Sequence, residues 1–374
     1  MRDKILKIAI SIGENIIEEI DKYGFVLPGN NGPYNDPETP VRNMCHSVFI
    51  LDYLYKNTEK SKYQNYLVKI GDYLLSNEVR PYNQNVFLRK NNEKDKVNGV
   101  IGPAWYIEAL IRLYEIFGED KYLKVAEEIF LLHTFDEIRG IWYSTNLKGE
   151  KIKFDKTFNH QLWFAMAGTY LSKYSSEDKV YIKLKIFFDK LDSNLSIHKT
   201  GLIRHPIFLN NTFKEKAKSF LIKSYYKYHE IFKKRTLRYK EYGYHLFNVY
   251  AFAVIKQNGW EIDFFKSIKM EKILDLCLNN NFYSKLEKNE NEKDVNSTPI
   301  INNDLEVNRY GYPYNAPGFE LPVIIDTFFN DNSKIKEQIM NRQFSLTYDQ
   351  KSGFFTKNIE DLKILNYRIY ELLR

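Results

Sequence analysis

Apolar residues recur along this chain at three- and four-residue intervals, in segments that come in pairs. The spacing predicts a first helix over Asp3–Tyr23. Five helical hairpins then follow, each closed by a short polar turn: 45–56 with 63–76, 103–117 with 121–133, 160–174 with 180–191, 244–256 with 263–278, and 317–329 with 334–342. A last helix over 359–373 is placed to pair with the first. The connections between hairpins are long and repeat a turn with a short β-like apolar segment. These segments read Gly24-Phe25-Val26, Val86-Phe87-Leu88, Gly140-Ile141-Trp142-Tyr143, Gly201-Leu202-Ile203, Phe282-Tyr283-Ser284 and Gly353-Phe354-Phe355.

Helical hairpins joined by long loops on one face describe an all-α fold, an (α/α)6 toroid, expected here as a single domain over residues 1–374. Lys285–Asn303, the most polar stretch, reads as a solvated loop insertion, and Leu209–Lys234 as a second insertion. In such a ring the inner helices begin on the loop face, so their first residues rim a central cleft.

Composition narrows the class. Of the 374 residues, 44% are hydrophobic and 28% charged, which excludes a disordered chain. Aromatics reach 16%, suited to a cleft that stacks on sugar rings. The net charge of +7 is spread along the chain, with no basic block to mark a nucleic-acid partner. A mildly basic surface favours an acidic substrate. Cys45 and Cys277 sit beside apolar positions and read as buried thiols. Met1–Ile20 carries charges every few residues, as an amphipathic helix does and a signal peptide does not. No apolar run approaches the roughly 18 residues of a membrane span. A cytoplasmic protein without a membrane partner is expected, its oligomeric state open. No metal-ligand spacing, phosphate-cradling glycine loop or Gly-x-Ser-x-Gly elbow occurs, so neither a catalytic metal nor a cofactor is expected.

The residues opening the inner helices carry the candidate chemistry. Asn159 and His160 start the third hairpin, with Trp163 a turn later; by itself Asn159 reads as an N-cap. His46 opens the first hairpin, Trp105 and Tyr106 the second, Tyr244 and His245 the fourth. The fifth follows Tyr310-Gly311-Tyr312-Pro313-Tyr314-Asn315, with Glu320 one turn in. The chain holds only seven His and four Trp, so this clustering exceeds what capping asks for. Arg204, Arg235 and Arg238 lie between the third and fourth hairpins. Such a set supports proton abstraction beside a carboxylate. An amide or cation neutralises the carboxylate, an imidazole takes the ring proton, and a phenol protonates the leaving oxygen.

The Asn159-His160 pair, followed by Arg235 or Arg238 and by Tyr244-His245, resembles the Asn-His motif of toroid polysaccharide lyases of the alginate-lyase and heparinase type. That resemblance implies β-elimination on a uronic-acid-containing saccharide. In it Asn159 neutralises the carboxylate, His160 is a base, Tyr244 is the acid or acid–base, and Arg238 assists. Trp105, Tyr106, Trp163, His46, His245, Arg204, Tyr312, Tyr314 and Glu320 then contact the saccharide. The spacing from Asn-His to Tyr-His is longer than in those lyases, because of the 209–234 insertion.

The chain is also similar to unsaturated glucuronyl hydrolases, uronyl C5-epimerases and glycosidase-like proteins of glycosylation gene clusters. A hydrolase needs carboxylic acids in the cleft, for which Asp36, Asp155, Asp304, Glu306 and Glu320 are the candidates. An epimerase would use much the same residues as the lyase. A glycan-binding toroid without turnover is the alternative of a different class.

Overall fold

The computed structural model describes residues 2–209, 212–232, 238–287, 307–330 and 333–374. Its helices are α1 Arg2–Tyr23, α2 Val41–Thr58, α3 Ser61–Leu74, α4 Ile101–Phe117, α5 Asp120–Leu132, α6 Phe158–Leu171, α7 Asp178–Asp189 and α8 Leu191–Asn194. They continue with α9 Phe213–Phe232, α10 Arg238–Gln257, α11 Ile268–Cys277, α12 Asn280–Leu286, α13 Pro317–Phe328, α14 Ser333–Thr347, α15 Ile364–Arg368 and α16 Tyr370–Leu373. Two small antiparallel sheets lie in the connections. One joins β1 Phe135–Asp136, β2 Ile141–Thr145 and β3 Lys151–Phe154; the other pairs β4 Tyr348–Asp349 with β5 Phe354–Phe355.

α2, α4, α6, α10 and α13 pack each against the next, and α16 packs against both α13 and α2. That closes an inner ring, with α1, α3, α5, α7, α11 and α14 outside it: an (α/α)6 toroid. Sequence decides which layer a helix joins. α6 is apolar all round and buried along nearly its whole length, whereas outer helices such as α3 bury a single stripe. A continuous hydrophobic core runs from Ile8 in α1 to Leu373 in α16.

Several boundaries depart from the periodicity. α10 begins at Arg238, so Tyr244 and His245 lie well inside the helix, not at its mouth. Leu209–Lys234, read as an insertion, contains the helix α9. The single helix expected over 359–373 is two, α15 and α16, because the Leu372 amide turns back to the Ile369 carbonyl (2.9 Å) and interrupts the i→i−4 ladder. The 263–278 segment opens as a 3-10 turn, Asp263–Lys266, before α11. Phe282-Tyr283-Ser284 is helical in α12, where Asn279 caps the first turn through the Asn281 amide. Of the other β-like segments, only Ile141–Tyr143 and Phe354-Phe355 lie in strands, while Ile203 makes an isolated bridge to Ile197.

Candidate functional site

A cavity of about 210 Å³ opens on the loop face of the ring. The inner helices α2, α4, α6 and α10 send residues into its wall, the π-turn Gly311–Asn315 leading into α13 supplies Tyr314 and Asn315, and α15, just before α16, supplies Arg368. Long loops complete it with Asn31, Tyr34, Arg89, Lys94, Asn98 and His205.

α6 delivers the first pair. Thr157 occupies its N-cap position, so Asn159 is inside the helix and the capping reading does not apply. Asn159 is buried on the wall, and its Oδ1 has no hydrogen-bond partner. His160 donates from Nδ1 to Asp155 Oδ2 at 2.8 Å. The same oxygen accepts the Val100 amide (3.1 Å), and Oδ1 accepts that of Thr157 (3.1 Å). Burial works to raise the Asp155 carboxyl, but the His160 ring and the two amides outweigh it and hold it below the usual carboxylate range. An ionised Asp155 fixes the Nδ1–H tautomer and leaves Nε2 as the reactive nitrogen of His160. Gly99 makes room for the pair: it sits at φ +62°, and a Cβ there would overlap Asp155 Oδ2 and lie 2.8 Å from His160 Nδ1.

A second imidazole faces the same space. His205 comes from the loop after α8, held by Glu241 of α10, which accepts the His205 amide (3.1 Å) and His198 Nε2 (2.7 Å). Burial first, then the charges of Lys240 and His160, push the His205 pKa well down, so its ring is neutral. Its centroid lies 5.3 Å from that of Tyr244. Tyr244 Oη and Tyr34 Oη are 3.0 Å apart, and Tyr314 Oη donates to Asn31 Oδ1 at 2.5 Å. Burial and the neighbouring phenols Tyr314 and Tyr34 push Tyr244 well above the ordinary tyrosine value. It is therefore a proton donor, and the cationic depression needed to make it a base does not occur.

The wall is cationic. Arg42, Arg89, Lys94, Lys240 and Arg368 line it, and among the described residues no carboxylate does. The acids stand behind. Glu38 pairs with Arg42 (3.4 Å), Asp36 with Arg89 (3.0 Å) and Lys94 (3.4 Å), and Glu320 and Glu371 with Arg368 (2.8 and 2.6 Å). Arg42, Arg89, Lys94 and Arg368 are thus each paired with a carboxylate set back from the wall. Burial, with Glu371 beside it, pushes Glu320 well up in spite of Arg368. Arg42 also lies 4.4 Å over the Trp105 ring, and Lys240 Nζ 4.9 Å over that of Tyr34.

Of the residues singled out in the sequence, the structure brings Asn159, His160, Tyr244, Trp105 and Tyr314 to this wall. The others lie elsewhere. Trp163 is core, stacked on Phe247 and donating to its carbonyl. Tyr106 bonds the Leu74 carbonyl, and Tyr312 is fully buried. His46 sits beneath Trp105, stacked on Tyr370 at 4.3 Å. His245 accepts the Ile203 amide (3.4 Å) and faces the Ile273 carbonyl (3.2 Å). Glu320 and Asp155 serve cavity residues from behind. Arg238 is exposed at the start of α10, Arg204 is half-buried, and neither lines the cavity. Arg235, Asp304 and Glu306 fall outside the described residues.

Arg42, Arg89, Lys94, Lys240, Arg368, Tyr34 and His205 were not legible as site residues. Asn31-Gly32-Pro33-Tyr34 reads as an ordinary turn, and basic residues in polar loops read as solvated.

No protein-family model matches the chain. It is similar in structure to a cellobiose 2-epimerase from Bacillus thermoamylovorans, with a TM-score of 0.62, 13% identity and coverage of 100% of this chain and 99% of that one. It is likewise similar to a polysaccharide lyase, with a TM-score of 0.54, 10% identity and coverage of 98% and 94%. These likenesses show the toroid fold. In sequence it is 31% identical over 360 residues to archaeal glycosylation protein Q of Haloferax volcanii, a match spanning 94% of this chain and 92% of the relative. At that identity over nearly the whole of both chains, the protein belongs to the archaeal glycosylation protein Q family.

Proposed function

We propose that the protein is a carbohydrate-active enzyme that removes a ring proton beside the carboxylate of an acidic sugar, with β-elimination as the outcome. The observation that carries this reading is the convergence, on one cationic cavity, of a carboxylate-backed imidazole and a protonated phenol. Arg42, Arg89 and Lys94 supply the charge that draws in and neutralises the sugar carboxylate, and Asn159 adds an amide at the same wall. His160, held by Asp155, takes the proton through Nε2. Tyr244 gives its proton to the departing oxygen, and Tyr34 can return one to it. The glycosylation relative and the sugar-processing enzymes that share the fold support a saccharide substrate. A hydrolase working through two carboxylic acids is disfavoured, since the described acids stand behind the wall, paired with cations.

The neutral ring of His205 favours a second reading, epimerisation, in which one imidazole removes the proton and the other returns one to the opposite face. One experiment separates the outcomes. Oligosaccharides containing 4-O-linked glucuronate or galacturonate are incubated in deuterium oxide and followed by proton NMR and ultraviolet absorbance. Elimination gives an absorbing unsaturated product; epimerisation gives deuterium at carbon with no absorbance. Both should vanish with His160→Ala. Release of sugar with neither signal, or equal turnover of neutral sugars, overturns the proposal.

A further inference from the structure

The helix α9 carries its apolar side outward. Phe213, Phe220 and Leu221 are 89%, 70% and 68% exposed, and Tyr225 and Tyr228 are more than half exposed. At 100° per residue, Phe213, Phe220, Leu221, Tyr225 and Tyr228 fall on one side of the helix, with Ala217 and Ser224 between them. Glu215, Ser219 and Ile222 fall on the other side, which faces the protein. There Glu215 pairs with Arg139 (2.9 Å) and Ser219 Oγ donates to the Leu209 carbonyl (2.6 Å). The helix is thus anchored by polar bonds with its aromatics turned to solvent, the reverse of an ordinary surface helix. Exposed Lys216 and Lys218 flank the aromatic stripe on its two edges, exposed Lys214 lies within it between Leu221 and Tyr225, and the whole helix has five lysines against two glutamates.

We propose that α9 seats the protein on an anionic lipid surface, its aromatic stripe entering the headgroup layer and its lysines resting on the lipid charges. Charge complementarity selects this occupant. A second copy laid on the stripe would set lysines against lysines, whereas an amphipathic helix lying in an anionic interface gains from every one. The placement is peripheral, since no helix among the described residues is long and apolar enough to cross a membrane. It departs from the expectation of no membrane partner, and it stands independently of the proposed reaction. It also has a geometric consequence. The chain runs from His205 on the cavity wall to α9 within a few residues, and the Ile207 amide bonds the Lys156 carbonyl beside Thr157. A docked α9 therefore holds the cavity mouth near the lipid headgroups.

The test is vesicle co-sedimentation of the full chain. One set of vesicles is phosphatidylcholine alone, and the other contains about 30% phosphatidylglycerol. The protein should bind the anionic vesicles at least about tenfold more tightly and lose binding as salt rises. The Lys214→Gln, Lys216→Gln, Lys218→Gln triple variant and the Phe220→Ser, Leu221→Ser double variant should each weaken binding roughly tenfold or more, with melting temperatures unchanged. A Phe220→Trp protein should shift its emission to the blue only with anionic vesicles. Absence of binding to either vesicle, or equal binding by the triple variant, overturns the proposal. So does a concentration-dependent dimer abolished by the Phe220 and Leu221 changes, which would assign the stripe to a second copy.

Discussion

Asp155→Asn tests the core of the catalytic reading, because the carboxylate works entirely through its neighbours. Its two oxygens receive three N–H groups, from His160, Val100 and Thr157. An amide offers one acceptor oxygen and turns an NH2 toward donors on its other side. At least one buried N–H is then orphaned, costing about 1–3 kcal/mol. Spread over a chain of 374 residues, that lowers the melting temperature by roughly 1–4 °C. If the amide nitrogen faces His160, the imidazole is driven to the Nε2–H tautomer and no longer presents a lone pair to the cavity. The lost charge-assisted hydrogen bond is worth about 1.5–3 kcal/mol, which is about 10- to 100-fold in kcat. KM should change little, since Asp155 does not line the cavity. The assay is turnover of oligosaccharides containing a 4-O-linked uronate, beside nitrogen-15 NMR of the histidine rings, which reads the tautomer without any substrate. The folded pKa of Asp155 is depressed, so its stabilisation is complete above the unfolded value and fades as pH falls through the folded one. The difference in melting temperature between the two proteins should therefore narrow in acid. Unchanged kcat together with an unchanged ring tautomer would refute the reasoning.

Other outcomes follow from neighbouring groups. Tyr244→Phe removes a phenol held protonated and should cut kcat about 100-fold or more while costing about 1 kcal/mol of stability from the lost Tyr34 contact; a loss confined to KM would count against its role as acid. Gly99→Ala puts a methyl group between Asp155 and His160 at a positive φ, so activity should drop at least about tenfold, with a loss of roughly 1–3 kcal/mol seen in chemical denaturation. Arg368→Met strands Glu320 and Glu371 and should cost about 3–5 kcal/mol, part of it regained when Glu320→Gln is added; no regain would mean that Arg368 acts by packing alone. His245 is buried with its pKa lowered to about 4, so below the ordinary histidine value the unfolded chain takes up a proton that the fold refuses. Its contribution is full at neutral pH and shrinks by roughly 3 kcal/mol between pH 6.5 and 4, so the stability gap between wild type and His245→Gln should narrow over that window.

The ring was legible because helical period and turn chemistry are local, and each hairpin announces itself within a few dozen residues. Asn159, His160 and Tyr244 were singled out by the same logic, as polar groups at the entrances of apolar helices, although Tyr244 reaches the cavity from well inside α10. What could not be read was long-range. Arg368 is indistinguishable in sequence from any basic residue late in a helix, and only ring closure turns it inward among Glu320, Glu371 and Tyr314. Lys94 and Arg89 sit in a polar loop whose path depends on Asp36, more than fifty residues earlier. Conversely, Trp163 and Tyr106 open helices as site residues do, but helical phase points them into the core.

The seam where the ring closes is also a wall of the cavity. Asn31 meets Tyr314 across 283 positions, Asp361 holds the Asn30 amide across 331, and Arg42 and Arg368 face the same space from opposite ends of the chain. Binding competence is therefore a property of the closed circle and of no shorter arc of it. A ligand seated there acts as a rivet, adding RT ln(1 + [L]/Kd) to whatever keeps the first and last helices together. Protease resistance of the terminal segments should accordingly report cavity occupancy, which gives a way to screen saccharides before any turnover is known.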